Sequence, residues 1–260
     1  MLTRAELFEI ICEKIRKLTQ GQLRWIDTLV DQFLTQHEFN RATDSDIITQ
    51  EVLEDFGDAL RDHHSFSNQA FTKDRFEFAL EKILSANGIT AERSSMGNPG
   101  HDITIRGVPF SLKTQADRNI KENYIHISKF HELGKGTWSD KEEDLLGLRQ
   151  QFFNHMTSYE RILILRRIKK PPPSWHYELV EIPKKVLLEA ENGEFTMMHR
   201  STQMPKPGYC RVYDKKQENK LKFALYFDGG GERKLQIKAL DKSVCKVHAE
   251  WIFEPVKKSK

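Results

Sequence analysis

Cysteine is scarce in this 260-residue chain, and Cys12, Cys210 and Cys245 stand far apart. No pair has zinc-like spacing, and an odd, scattered set does not make a disulfide framework. Long apolar runs are also missing, so no segment is expected to span a bilayer. The amino terminus lacks the charged, apolar and small-residue succession of a cleavable secretory signal. A reducing cytoplasm is the expected location. No aromatic pair falls in a recognisable sheet motif for stacking single-stranded bases, which argues against RNA recognition.

Net charge is small too, at +3, but it is unevenly spread. Residues 1–100 carry 11 Lys/Arg and 17 Asp/Glu, a formal −6, whereas residues 206–260 carry 14 and 7, a formal +7. A basic C-terminal third fits contact with a polyanion, or simply a solvated surface. Hydrophobic residues (38%) and aromatics (10%) suffice for a core. That length accommodates one large domain, or a core with a helical arm.

Apolar spacing of three and four predicts helices over 4–19, 22–36 and 45–62, with Asp44 or Ser45 as cap of the third. KDRFEFALEKILSA (73–86) is a clearer helix, capped by Thr72 and stopped at Asn87–Gly88. A strand near 89–94 and a hairpin follow. The stretch 124–133 fits strand or helix, and 141–157 reads as helix. ERILILRRI (160–168) and WHYELVEI (175–182) read as strands separated by Pro171–Pro173. Pro183 can open a short helix. KLKFALYF, KLQIKAL and VCKVHAEWIFE read as three further strands, with Gly229–Gly231 as a flexible turn. The expected fold is α/β (α+β), a central mixed β-sheet flanked by helices. The expected division is an N-terminal helical region (1–71), a core (72–190) and a basic β-rich extension (191–260).

The most informative segment is GNPGHDITIRGVPFSLKTQ, residues 97–115. A hairpin turning at Arg106–Gly107 pairs position 102 with 111 and 104 with 109. Ile103, Ile105, Val108, Phe110 and Leu112 then share one face, and Asp102, Thr104, Ser111 and Lys113 the other. An apolar underside would hold a carboxylate and an amine on one rigid surface, suited to metal-assisted attack on phosphate.

Asp102 with Ser111-Leu112-Lys113, preceded by a helix and a strand, resembles the PD-(D/E)xK nuclease superfamily, especially type II restriction endonucleases. The resemblance covers 72–190 as a fold pattern and 97–115 as a motif. It implies sequence-specific, Mg2+-dependent hydrolysis of double-stranded DNA by activated water, in a homodimer that cuts both strands. Asp102, Glu77 and the Leu112 carbonyl are the implied metal ligands. Asp102, Ser111, Lys113, Glu77 and Gln115 form the implied catalytic group. Two positions depart from the pattern: Pro99 stands three residues before Asp102, and Ser111 replaces the usual acidic residue.

A second set, Asp228, Gln236 and Lys238, matches a permissive version of the same pattern. His101, Lys129, Arg233, Lys234, Lys238, Lys246 and His248 are candidate DNA contacts, and Arg161, Arg166, Arg167, Lys169 and Lys170 a candidate phosphate track. Each of these, like Glu77 and Gln115, also fits an ordinary surface or structural role. His126, His131 and His155 show no shared geometry in the sequence. Trp175 and Trp251 read as core or interface aromatics. A methyl-directed or repair nicking nuclease and a non-catalytic DNA-binding protein are the alternatives.

Overall fold

Threonine starts each of the first four helices. Thr3 caps α1 (Arg4–Ile15) and Thr19 caps α2 (Gln20–Leu34), each in a reciprocal box with Glu6 or Gln22 three residues on. After β1 (His37–Arg41), Thr49 caps α3 (Gln50–Phe66), and Thr72 caps α4 (Lys73–Ala86). The third helix thus begins later than expected. The Ser45 hydroxyl accepts the Ile48 amide instead, within the turn that precedes the helix.

The computed structural model describes residues 2–95, 100–116, 120–134, 138–168, 174–215 and 218–256. Beyond α4 come β2 (Ala91–Arg93), β3 (Ile103–Ile105), β4 (Val108–Gln115), β5 (Tyr124–Glu132), α5 (Glu142–Met156), β6 (Arg161–Ile168) and β7 (Trp175–Ile182). The chain continues through α6 (Lys184–Leu188), β8 (Glu194–Met197), β9 (Gly208–Asp214), β10 (Lys220–Asp228), β11 (Lys234–Asp241) and β12 (Lys246–Phe253). Gly97, Pro99, Lys169, Lys170 and Pro171–Pro173, invoked above, lie outside the described residues. No helix among the described residues is long and apolar enough to cross a membrane.

Seven strands form a mixed sheet in the order β1-β12-β7-β6-β4-β3-β2, with β4 and β6 parallel and the other pairs antiparallel. A second, antiparallel sheet runs β5-β11-β10-β9-β8. The expected central mixed sheet with flanking helices is present, and the second sheet adds to it. β5 and its neighbours leave the central sheet, whereas β1 and β12 join it at one edge. Strands from all three expected segments therefore build the central sheet.

One face of that sheet packs against α3 and α4. Phe56, Leu60, Phe76, Leu80 and Leu84 meet Phe110, Leu112, Leu163, Leu179 and Trp251. Ile162, Ile164, Val180 and Ile182 on the other face meet α5 and the inner face of the second sheet. β6 and β7 are covered on both faces; β6 reads accordingly as an apolar run, Ile162–Leu165, whereas β7 alternates and buries its polar members as well. Each fully buried Leu or Phe contributes about 1.5–3 kcal/mol.

Polar groups are also buried between the sheets. Arg166 is fully buried. It donates to Gln115 Oε1 (3.0 Å), Glu178 Oε2 (2.8 Å) and the carbonyls of Lys121, Glu122 and Tyr124. Near the β1–β12 edge, Arg161 bridges Asp46 and Glu181, and His248 Nε2 lies 2.8 Å from Glu181. Burial acts to raise the Glu181 carboxyl, but His248 and Arg161 outweigh it and hold the group at about 2. These placements correct two expectations. Arg166 serves an internal ion pair, and Arg161 a partly exposed bridge between Asp46 and Glu181, rather than a phosphate track. Arg167 stacks its guanidinium 4.1 Å from the Trp175 ring.

Candidate active site

The site begins with a turn. Arg106 (φ 50°) and Gly107 (φ 80°) supply the two positive φ values that a tight hairpin requires, fixing the register of β3 against β4. Thr104 pairs with Pro109 and Ile103 with Phe110, the predicted alignment. Asp102 continues the ladder, donating its amide to the Phe110 carbonyl at 2.9 Å. Its carboxylate then folds over the end of β3 onto β4. Oδ2 accepts the Leu112 amide (2.5 Å) and the Ser111 hydroxyl (3.1 Å). Ser111, in place of an acid, therefore works as a donor that orients Asp102. The Leu112 side chain is buried among the residues facing α3 and α4. Its carbonyl shares the strand edge of its amide, the Asp102 side.

α4 supplies the third wall. Phe76, Leu80 and Leu84 anchor it to the sheet, which leaves Lys73 and Glu77, one turn apart, above the hairpin. Lys73 Nζ lies 2.9 Å from Glu77 Oε1 and 2.8 Å from Asp102 Oδ1. Glu77 and Asp102 thus converge through one ammonium group. Burial would raise the Asp102 carboxyl, but Lys113, Lys73 and the Leu112 amide hold it below the ordinary carboxylate range.

Lys113 follows Ser111 on the same face, as expected for a two-residue step. Its side chain is only 8% exposed and carries Nζ 5.3 Å from the centre of the Phe130 ring. Burial pushes the amine down to about 8, against the opposing pull of Asp102. Asp102 and Lys113 accordingly sense each other across the hairpin face, and the predicted juxtaposition is present.

His131 and His155, which share no evident geometry along the chain, stack 4.7 Å apart beside Phe130. Burial lowers both imidazoles, His155 to about 4 with further lowering from His131 and Lys113, and the Lys113 charge adds to the lowering of His131. Tyr159 borders His155, with ring centres 5.5 Å apart. The two Nε2 atoms and the Tyr159 hydroxyl are buried without a hydrogen-bond partner among the described residues. His131 comes from β5 and His155 from the last turn of α5, so tertiary packing makes this group and no local spacing announces it. Lys73 was readable in principle, four residues before Glu77 at the start of a helix.

Other expectations are redirected. Gln115 is buried and accepts Arg166 Nε rather than joining Asp102. Asp228 is held by Gln236 Nε2 (2.9 Å), the Gly230 amide (3.1 Å) and Gln203 Nε2 (3.3 Å), a turn-stabilising arrangement. Lys238 Nζ lies over the Tyr226 ring at 3.9 Å, on the outer face of the second sheet. His248, expected at DNA, is fully buried and bonded to Ser45 and Glu181, so it is a packing residue. His101 bonds to the Thr104 hydroxyl. Lys129 is paired with Glu132 and Glu232, Lys234 with Glu232, and Lys246 with Asp44. Arg233 borders a cleft of about 570 Å³ with Gln203 and Gly229–Gly231.

A further group comes from β7 and β12. His176, Glu178 and Glu250 place potential ligand atoms within 4.8 Å of one another, close enough to hold a divalent cation. The alternation of WHYELVEI contains two of the three, but their cross-strand partner is not legible locally. His176 Nε2 lies 2.6 Å from Glu250 Oε1. Glu178 already meets two cations, Arg166 and Lys242, each at 2.8 Å. Those positive charges oppose a metal ion there.

The chain has counterparts among known proteins. The family described as SmaI, type II site-specific deoxyribonuclease, matches residues 11–253. The type II restriction enzyme SmaI of Serratia marcescens is 48% identical over 212 residues, covering 81% of this chain and 83% of that protein. No solved structure matches. With almost the whole fold matched, from α1 through β12, this chain belongs to the SmaI family of type II site-specific deoxyribonucleases.

Proposed function

We propose that this sequence-specific endonuclease cuts double-stranded DNA at the Asp102–Glu77–Lys113 site, with Mg2+ as cofactor and two copies of the chain acting on the two strands. The observation that carries the reading is the convergence of Asp102 and Glu77 on one cation, with Lys113 on the same hairpin face. The donor set fits a hard divalent ion: carboxylate oxygens, and the Leu112 carbonyl on the same strand edge. Such an ion, when bound, polarises the phosphate and lowers the pKa of the attacking water. Asp102 is oriented for this by Leu112 and Ser111. Lys113 contributes positive charge to the phosphate as negative charge develops, from a site where burial strengthens its field. Cleavage of duplex DNA in Mg2+, its loss with chelator, and sequenced ends at one defined site are the expected results. Cleavage that survives chelation contradicts the reading.

Duplex contact falls to the basic strands of 191–260. Arg211 and Lys238, stacked on Tyr209 and Tyr226, line the outer face of the second sheet. Residues 72–190 hold the chemistry, and 1–71 serve assembly. The support for the last is apolar surface. α1 buries none of its residues. Phe8 is 63% and Leu34 79% exposed, with Leu7, Ile11, Trp25 and Val30 exposed alongside. A patch of this kind marks an interface, and a two-fold pair matches a palindromic target. Phe8→Glu combined with Ile11→Glu is expected to convert a micromolar dimer to monomer, measured by light scattering. Thermal stability should be retained, because neither side chain is buried. A wild-type chain that stays monomeric both free and on DNA would count against the assignment.

A further inference from the structure

Lys73 is badly placed for its helix. It occupies the first position of α4, where the helix dipole favours negative charge. Something other than helix stability accounts for an ammonium there. Its amine bridges Glu77 Oε1 at 2.9 Å and Asp102 Oδ1 at 2.8 Å. Asp102 Oδ2 is already committed to the Leu112 amide and the Ser111 hydroxyl. Oδ1 is therefore the oxygen left for a cation, and it is the one Lys73 holds. The Lys73 side chain is 41% exposed, against 20% for each carboxylate, so its head has a route to solvent while its partners stay fixed.

We propose that Lys73 is a resident counter-ion, a positioning residue that holds Asp102 and Glu77 together and is displaced by the divalent cation. The inference rests on the reading that Asp102 and Glu77 hold the metal. Lys73 stops two partly buried carboxylates from repelling each other in the metal-free protein. It also weakens metal binding, because entry of the ion requires the ammonium to leave the same oxygens. Once released, the flexible stem points its charge outward, toward the phosphates of a bound duplex.

The test uses Mn2+ on the full-length protein, with binding read by calorimetry. Lys73→Met keeps the stem and removes the charge, and methionine is well tolerated in a helix. Lys73→Gln serves as a second variant. Both are expected to bind Mn2+ about tenfold more tightly than wild type, whereas Asp102→Ala loses the binding. In wild type, Mn2+ is expected to increase labelling of Lys73 by an amine-reactive reagent, because the amine leaves its ion pairs. An unchanged or weaker Mn2+ affinity in both Lys73 variants, or Lys73 labelling that Mn2+ leaves unchanged or lowers, overturns the proposal while Asp102→Ala still loses the metal. If Asp102→Ala binds Mn2+ as wild type does, the metal-site reading fails and the proposal falls with it.

Discussion

Replacing Lys113 with alanine is expected to lower single-turnover cleavage by about 10³-fold or more, with duplex affinity in Ca2+ changed by less than about fivefold. The asymmetry follows from where the amine lies. At 8% exposure over Phe130, it is placed too deep to act as an ordinary phosphate anchor on the surface. On the proposed reading its charge acts locally, against Asp102 and the phosphate brought to it. Buried charge of this kind counts for more in the transition state than in binding, because the low-dielectric surroundings do not reorganise around it. Lys113→Met should be equally inactive, since it preserves the packing against Phe130 but removes the charge. Its melting temperature should equal or exceed that of wild type, because an amine pushed down to about 8 is held in a site that disfavours its charged form. Activity of Lys113→Met within tenfold of wild type would remove Lys113 from the mechanism.

The second large effect concerns the fold beneath the site. Arg166→Ala is expected to destabilise the chain by about 3–5 kcal/mol, the range for breaking a buried ion pair from one side. Alanine leaves Glu178 with Lys242 alone and strips the donor from the carbonyls of Lys121, Glu122 and Tyr124. Those carbonyls lie where the chain leaves β4 for β5, the strand that brings Phe130 and His131 to Lys113. A fall in melting temperature of roughly 10 °C is expected. Cleavage at low temperature should fall as well, through loosened placement of β5. Arg166→Met, which fills the volume that alanine leaves empty while Glu178 keeps Lys242, should lose less stability than Arg166→Ala. A loss below about 1 kcal/mol for Arg166→Ala would show that water replaces the guanidinium without strain.

Local chemistry made much of this legible. The Arg106–Gly107 turn fixed the hairpin register, and with it the common face of Asp102, Ser111 and Lys113. Thr72 and Asn87 bounded α4, β6 showed itself by the apolar run of a doubly covered strand, and β7 by its alternation. The pairing of β5 with β11, about 100 residues apart, and the joining of β1 to β12 at the edge of the first sheet, about 200 residues apart, leave no local trace.

The basic C-terminal third illustrates the limit most directly. Its charge is real, but Lys220 is paired with Asp241, Lys222 with Glu189, Lys242 with Glu178 and Lys246 with Asp44. Three of these four carboxylates come from earlier in the chain. Counting charges along a segment cannot separate a lysine awaiting phosphate from one already neutralised across a sheet. For the same reason Arg166 and His248, both suited by type to DNA contact, proved to be interior groups. Lys73 was overlooked in the opposite sense. Its spacing from Glu77 was visible, but its meaning depended on Asp102 arriving from 29 residues away.

The most direct test compares two single-atom-scale changes in one assay, duplex cleavage in Mg2+ by Asp102→Asn and by Asp228→Asn. Both replacements keep shape and remove a charge, one on the hairpin of the central sheet and one at the β10–β11 turn of the second. The expected result is no detectable cleavage by Asp102→Asn and a rate within about fivefold of wild type for Asp228→Asn. Full activity in Asp102→Asn with none in Asp228→Asn would move the chemistry to the second sheet and contradict the account at its centre.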